Sequence, residues 1–115
     1  MKLKCKKVSA SEAGDEIFQV IFEDTPEMEG GQYVLVSRAF LEEDESEICS
    51  IYLETHDERL IGHYTDIEAK LTRNGFTANL PPPANELIEI DFTISDQNYR
   101  ELKRTLEIIF QKHMG

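Results

Sequence analysis

The fold class is decided by residues 87–110, which read LIEIDFTISDQNYRELKRTLEIIF. In the first part every second residue is apolar, which is the period of a half-buried strand. Ser95 or Asp96 can then cap a helix, and beyond them the apolar residues recur at a helical period. That stripe comprises Tyr99, Leu102, Leu106, Ile109 and Phe110. The change of period predicts a strand followed by one helix over about residues 96–112.

Upstream of this stretch the chain is mostly strand-like. Strand periods cover Met1–Cys5, Ile17–Phe22, Tyr33–Phe40, Ile48–Leu53 and, more weakly, Arg59–Tyr64. Alternating lysines mark the first as an edge strand, and apolar residues on both faces mark Tyr33–Phe40 as a central one. We expect the helix stripe to pack against Ile90 and Phe92, since elements joined by a short connection are usually neighbours.

The clearest local signal is a hairpin at Asn74-Gly75, where both residues tolerate the positive φ of a type I′ turn. That turn predicts a register in which Leu71 faces Ala78. One face of the hairpin is then apolar. The shared apolar residues are Ile67, Ala69, Leu71, Phe76, Ala78 and Leu80.

These elements predict one α+β domain spanning residues 1–115, because strands come first and the helix last. We expect an antiparallel sheet of about seven strands that is closed by the C-terminal helix. A curved sheet of the kind found in pleckstrin-homology-like barrels and a single open meander both fit this order.

Charge limits the classes of partner. The chain has 23 acidic residues against 12 lysines and arginines, for a net charge of −11. A nucleic acid or an anionic membrane needs a basic surface, so neither is expected to bind. No apolar run follows the N-terminal lysines, so we expect a cytoplasmic protein without a secretory signal, in which Cys5 and Cys49 are free thiols.

The acids are unevenly placed, with 15 of the 23 in residues 1–58. They form two groups that flank antiparallel strands and should lie at opposite ends of the sheet. The first candidate for partner binding is the loop Leu41–Glu47, with Glu42, Glu43, Asp44, Glu45 and Glu47. The alternative end comprises Glu23, Asp24, Glu27, Glu29, Glu54, Asp57 and Glu58. Each group is either a solvated surface or a docking site for a cationic partner.

Other groupings carry little chemistry. His56, Asp57 and Glu58 with His63 and Asp66 could bind a metal, but they lack the spacing of known zinc sites. No motif brings a nucleophile, a base and oxyanion donors together. We therefore expect neither an enzyme nor a bound metal or cofactor.

From Gln32 onward the chain resembles immunity protein 10, a family of bacterial polymorphic-toxin systems. The resemblance rests on the order of common strand motifs. These are Gln32–Arg38, the acidic segment Leu41–Glu47, Tyr52-Leu53-Glu54, Gly62–Glu68, the Asn74-Gly75 hairpin and Leu87–Phe92. Trp is absent, and His63–Asp66 stands where the family tends to have glycine.

The resemblance implies a non-enzymatic protein that binds and neutralises a cognate toxin inside the producing cell. An acidic protein suits a basic toxin domain. A small acidic adaptor or peptide-binding module of pleckstrin-homology-like fold is the alternative, and the oligomeric state stays open.

Overall fold

The computed structural model describes residues 1–14, 16–24, 31–40 and 50–114. These ranges hold nine strands, a 3₁₀ turn at Glu58–Leu60 and one α-helix. The strands are β1 (Lys2–Lys4), β2 (Lys7–Ala13), β3 (Ile17–Glu23), β4 (Tyr33–Ala39), β5 (Ile51–Thr55), β6 (Gly62–Tyr64), β7 (Glu68–Thr72), β8 (Gly75–Asn79) and β9 (Leu87–Asp91). The helix, α1, is Asp96–Phe110. The predicted α+β class with one C-terminal helix is confirmed.

The strands form two sheets. The four-stranded sheet has the order β1-β9-β8-β7, and the five-stranded sheet has the order β2-β3-β4-β5-β6. Every neighbouring pair is antiparallel except β1 and β9, which are parallel. As predicted, β1 lies at a sheet edge with Leu3 buried between exposed lysines, and β4 is the central strand of its sheet.

The expectation of about seven strands is too low, because β2 was not predicted. Val8 and Ala10 of β2 pair across to Phe22 and Val20 and pack against the core. Ser9 separates them and Ser11 follows, so the segment is built of small residues and shows no strong hydrophobic period. Its pairing with the apolar strand β3, rather than its own sequence, makes it a strand.

The hairpin keeps its predicted apolar face but not its predicted turn. Leu71 pairs with Phe76 rather than with Ala78, so the two-residue turn is Arg73-Asn74. Within the described residues, positive φ occurs only at Gly14, Asn85 and Gln111, and the turn is therefore not type I′. A shift of two residues preserves the side-chain alternation, so the same residues still face the core.

Gly75 has a different role from the one predicted. It begins β8 and pairs with Asp91 of β9, and a Cβ there would lie 3.0 Å from the Ile90 carbonyl oxygen. The Asn74 carbonyl also accepts a hydrogen bond from the Phe92 amide at 3.0 Å. The glycine is thus required by the close approach of β9 rather than by a left-handed turn.

The helix begins as predicted, at an N-cap where the Ser95 side chain accepts a hydrogen bond from the Asn98 amide. Leu102, Leu106 and Ile109 are fully buried. The helix lies mainly across β2, β3 and β4 rather than across β9, the strand that precedes it. Arg38 of β4 fixes this position by donating a hydrogen bond to the Ile109 carbonyl at 3.0 Å.

Phenylalanine rings join the three layers. Phe22 of β3 stacks on Phe76 of β8 and on Phe92, with ring centroids 5.4 and 6.3 Å apart. Phe76 in turn contacts Phe110 of α1 at 6.0 Å. Ile90 and Phe92 thus share one buried cluster with the helix stripe, although that stripe lies mostly on the other sheet.

We expect Leu106→Ala to lower the free energy of unfolding by roughly 2–5 kcal/mol, because Leu106 is 0% exposed and its loss leaves a cavity. Chemical denaturation measures the change. Leu87→Ala is the matched control: Leu87 is 46% exposed, so the change should stay within about 0.5 kcal/mol. A loss below about 1 kcal/mol for Leu106→Ala would contradict the packing described.

Gly75→Ala should destabilise the protein by about 1–3 kcal/mol, since the new methyl group forces β8 and β9 apart. Gly62→Ala, in the edge strand β6, meets no atom within 4 Å. It should be neutral or stabilising by up to about 1 kcal/mol. Equal effects of the two substitutions would refute the steric role of Gly75.

Candidate functional site

The five-stranded sheet packs on the rest of the described chain through one of its two faces. Its inner side chains pack against α1 and the four-stranded sheet. No described helix or strand packs on the opposite side, which we call the outer face. The side chains that alternation and register place on the outer face are Lys7, Ser9, Ser11, Ile17, Gln19, Ile21, Glu23, Tyr33, Leu35, Ser37, Tyr52, Glu54 and His63.

The outer face is partly apolar. Ile21 and Leu35 face each other across β3 and β4, and Glu54 is the partner of Leu35 on β5. Ile17 is 42% exposed at the far end of β3. A groove of about 280 Å³ runs over the aliphatic pair between Glu23 and Glu54. Aliphatic, aromatic and acidic groups therefore lie together at one end of this sheet.

Glu54 is held by two tyrosines. The Tyr33 hydroxyl donates to Oε2 and the Tyr52 hydroxyl to Oε1, each at 2.8 Å. These hydrogen bonds lower the pKa of Glu54 below its ordinary value. Burial, together with the bond to Glu54, raises the pKa of Tyr33 to about 12. Glu54 is therefore ionised at neutral pH and is fixed by two neutral donors.

Asp57 and Asp24, at the alternative acidic end, have local structural tasks. Asp57 caps the 3₁₀ turn and accepts hydrogen bonds from Arg59, which lower the pKa of its carboxyl to about 2. Asp24 accepts a hydrogen bond from the Gln32 amide and so joins the ends of β3 and β4. Glu58 is exposed on the 3₁₀ turn.

The other predicted acids fall outside the described residues. They are Glu27 and Glu29 of the alternative end, and Glu42, Glu43, Asp44, Glu45 and Glu47 of the loop Leu41–Glu47. Within the described chain, Glu23 and Glu54 face the same groove. A role of either acidic group in binding stays a prediction.

His56 and His63 both lie next to tyrosines of the five-stranded sheet. His56 Nδ1 accepts a hydrogen bond from the Tyr33 amide at 3.3 Å. The His63 ring lies 5.3 Å from the Tyr52 ring on the outer face. Among the residues described, no group of three or more His, Cys, Asp or Glu side chains is arranged to hold a metal ion.

Sequence reasoning missed the outer face because it assigned the apolar residues of Tyr33–Phe40 to the interior on both sides. Val34 and Val36 are buried, but Tyr33 and Leu35 point the other way and remain half-exposed. A usable signal was present: Tyr33 and Tyr52 can each donate a hydroxyl to a glutamate on a neighbouring position of the same face.

Comparison with known proteins gives no relative. No protein-family model, no curated protein and no solved structure matches this chain. No helix in the described residues is long and apolar enough to cross a membrane.

We expect removal of both tyrosine hydroxyls, in Tyr33→Phe/Tyr52→Phe, to raise the pKa of Glu54 towards its ordinary value. Carboxyl ¹³C NMR during an acid titration measures it, with Tyr99→Phe on α1 as the control. The folded pKa is lowered, so the stability that these bonds provide is present above the unfolded pKa and is lost as pH falls through the folded one.

The stability difference between the native protein and the double variant should accordingly shrink as the solution is acidified through this interval. An unchanged Glu54 pKa in the double variant would show that the two tyrosines do not control the charge of this carboxylate.

Proposed function

We propose that this chain is a non-enzymatic immunity protein that binds a cognate bacterial toxin and blocks it inside the producing cell. The observation that carries the proposal is the outer face: a rigid sheet surface on which aliphatic side chains, two tyrosines and an ionised carboxylate lie together. The ordered motifs that resemble immunity protein 10 supply the biological class, since the face alone indicates only a protein partner.

The composition of the face suits protein recognition. Tyrosines are enriched at interfaces because each offers a large apolar ring and a polar hydroxyl. Ile21 and Leu35 supply apolar area beside them, and Glu23 and Glu54 make the groove over this pair acidic, with Lys7 opposite Glu23 on the edge strand β2. A basic protein is the complement of such a surface, and clustered acids would also speed its approach.

The size of the face sets the extent of the contact. Five strands spaced about 4.8 Å apart, with at most seven residues each, give a surface of roughly 20 by 20 Å. A standard interface buries about 800 Å² on each partner, which is more than a flat patch of this size offers. The contact would therefore continue beyond the face, and the two acidic groups predicted from the sequence are the candidates for that extension.

The alternative function is a small acidic adaptor of pleckstrin-homology-like fold that binds a peptide. The presence of two sheets and one closing C-terminal helix favours it. An adaptor of this kind would not protect a cell from a toxin, so a protection assay separates the two proposals.

The experiment begins with the genome: an immunity gene sits directly after its toxin gene. Co-expression with the toxin domain encoded immediately upstream should restore growth, and the two proteins should form a stable complex on size exclusion. Leu35→Lys, on the outer face, should raise the Kd for the toxin by about tenfold or more, equivalent to ~1.4 kcal/mol. Leu87→Lys, on an exposed position of the other sheet, should leave it unchanged.

Neutralising the five acids of the loop Leu41–Glu47 tests whether that loop takes part in binding the toxin. Weaker binding with a flatter salt dependence would place that loop in the contact, because attraction between charges is screened over about 10 Å at 0.1 M salt. No protection by the native chain against the adjacent toxin would overturn the function, and equal effects of Leu35→Lys and Leu87→Lys would overturn the surface.

A further inference from the structure

Among the described residues, Glu54 has no cationic partner. All 12 lysines and arginines lie in the described residues, because the undescribed positions contain neither residue type. None of the 12 lies within 4.0 Å of a Glu54 oxygen. Each carboxylate oxygen of Glu54 instead accepts one hydrogen bond from a tyrosine hydroxyl. The carboxylate is thus aligned by neutral donors while its charge remains uncompensated.

We propose that Glu54, held between Tyr33 and Tyr52, is the recognition point for one arginine side chain of the partner protein. The inference deepens the proposed function, on which it rests for the identity of the partner. Each carboxylate oxygen has two acceptor positions and one is already used, so two remain, one on each oxygen. A guanidinium carries several N–H donors in one plane and can therefore supply a bond to each oxygen.

Arginine fits this position better than lysine. Its guanidinium is planar and can engage both oxygens at once, whereas an ammonium group offers a single point charge. The guanidinium also stacks on aromatic faces, and the two tyrosine rings lie beside the carboxylate. The same pairing occurs within this chain, where the Arg73 guanidinium carbon lies 4.9 Å from the ring centre of Tyr99 while Nη2 bonds Asp96.

The groove next to Glu54 can hold the rest of the side chain. Arginine keeps a three-carbon stem that packs on apolar surface while its head stays polar. Ile21 and Leu35 line the groove, with Glu23 on its other side. An arginine flanked by apolar residues in the partner would therefore contact the carboxylate and the aliphatic pair together.

The test uses the peptide acetyl-Gly-Leu-Arg-Leu-Gly-amide and its lysine and citrulline analogues, titrated into the ¹⁵N-labelled full chain at low ionic strength. Saturable amide shifts should centre on residues 33, 35, 52 and 54. We expect the lysine peptide to bind at least about fivefold more weakly, because an ammonium group is a point charge that cannot match the planar fork of a guanidinium. The citrulline peptide, which has the same shape without the charge, should give no saturable shift.

Variants of the protein test whether the preference for the arginine peptide depends on Glu54. Glu54→Gln should abolish the preference for arginine, and Tyr33→Phe/Tyr52→Phe should weaken binding because the carboxylate is no longer aligned. Glu68→Gln makes the same change of charge on an exposed position of β7 and should bind like the native chain. Equal affinity for the arginine and lysine peptides, or unchanged binding by Glu54→Gln, would overturn the inference.

The two proposals fail separately. If the chain protects cells from the toxin but shows no arginine preference, the assignment of Glu54 falls and the immunity function stands. If the peptides behave as expected but co-expression gives no protection, the arginine site stands and the toxin partner falls.

Discussion

The stack of Phe22 on Phe76 and Phe92 is the interaction on which the other layers depend. Phe22 belongs to the five-stranded sheet, and its two partners belong to β8 and to the segment just after β9. Phe110 adds the helix to the same group through Phe76. Aromatic rings bury large apolar areas, so this cluster supplies cross-sheet contact that no backbone hydrogen bond provides. A chain of this size has one core, and these rings occupy the place where its three layers meet.

One consequence concerns the outer face. The inner side of the five-stranded sheet must accommodate both the helix and the second sheet, so all covering elements of the described chain are on that side. The alternation of strands then fixes which residues remain outside. Tyr33, Leu35, Tyr52 and Glu54 point outward and stay half-exposed, because the residues that alternate with them, Val34, Val36 and Leu53, are fully buried. The alternation of side chains that builds the core thus also determines which residues form the candidate site.

Much of the fold follows from local sequence, and the failures have identifiable causes. The period change at Ser95 and the alternation of Leu87–Phe92 are reliable signals, because each depends only on residues within one strand or one helix. The division into two sheets and the placement of α1 over β2–β4 depend on contacts between distant segments. The hairpin shows both cases. Its two faces were predictable from local sequence, since side-chain alternation survives a shift of two residues. Its turn was not predictable from local sequence, because Gly75 is required by the close approach of the Ile90 carbonyl from the neighbouring strand and not by the turn itself.

The candidate site was harder to predict because total charge says little about any single acid. Several described carboxylates already have partners: Asp57 binds Arg59, Asp96 binds Arg73, and Glu86 binds the N-terminal amine. These acids hold turns and chain ends in place and are therefore poor candidates for recognition.

Glu54 differs because hydroxyl groups align it without neutralising it. That distinction needs the pairing of β4 with β5, which brings Tyr33 and Glu54 together across 21 residues of sequence. The sequence predicts an acidic protein, whereas the sheet register identifies Glu54 as an acid that two tyrosine hydroxyls align and that has no cationic partner among the described residues.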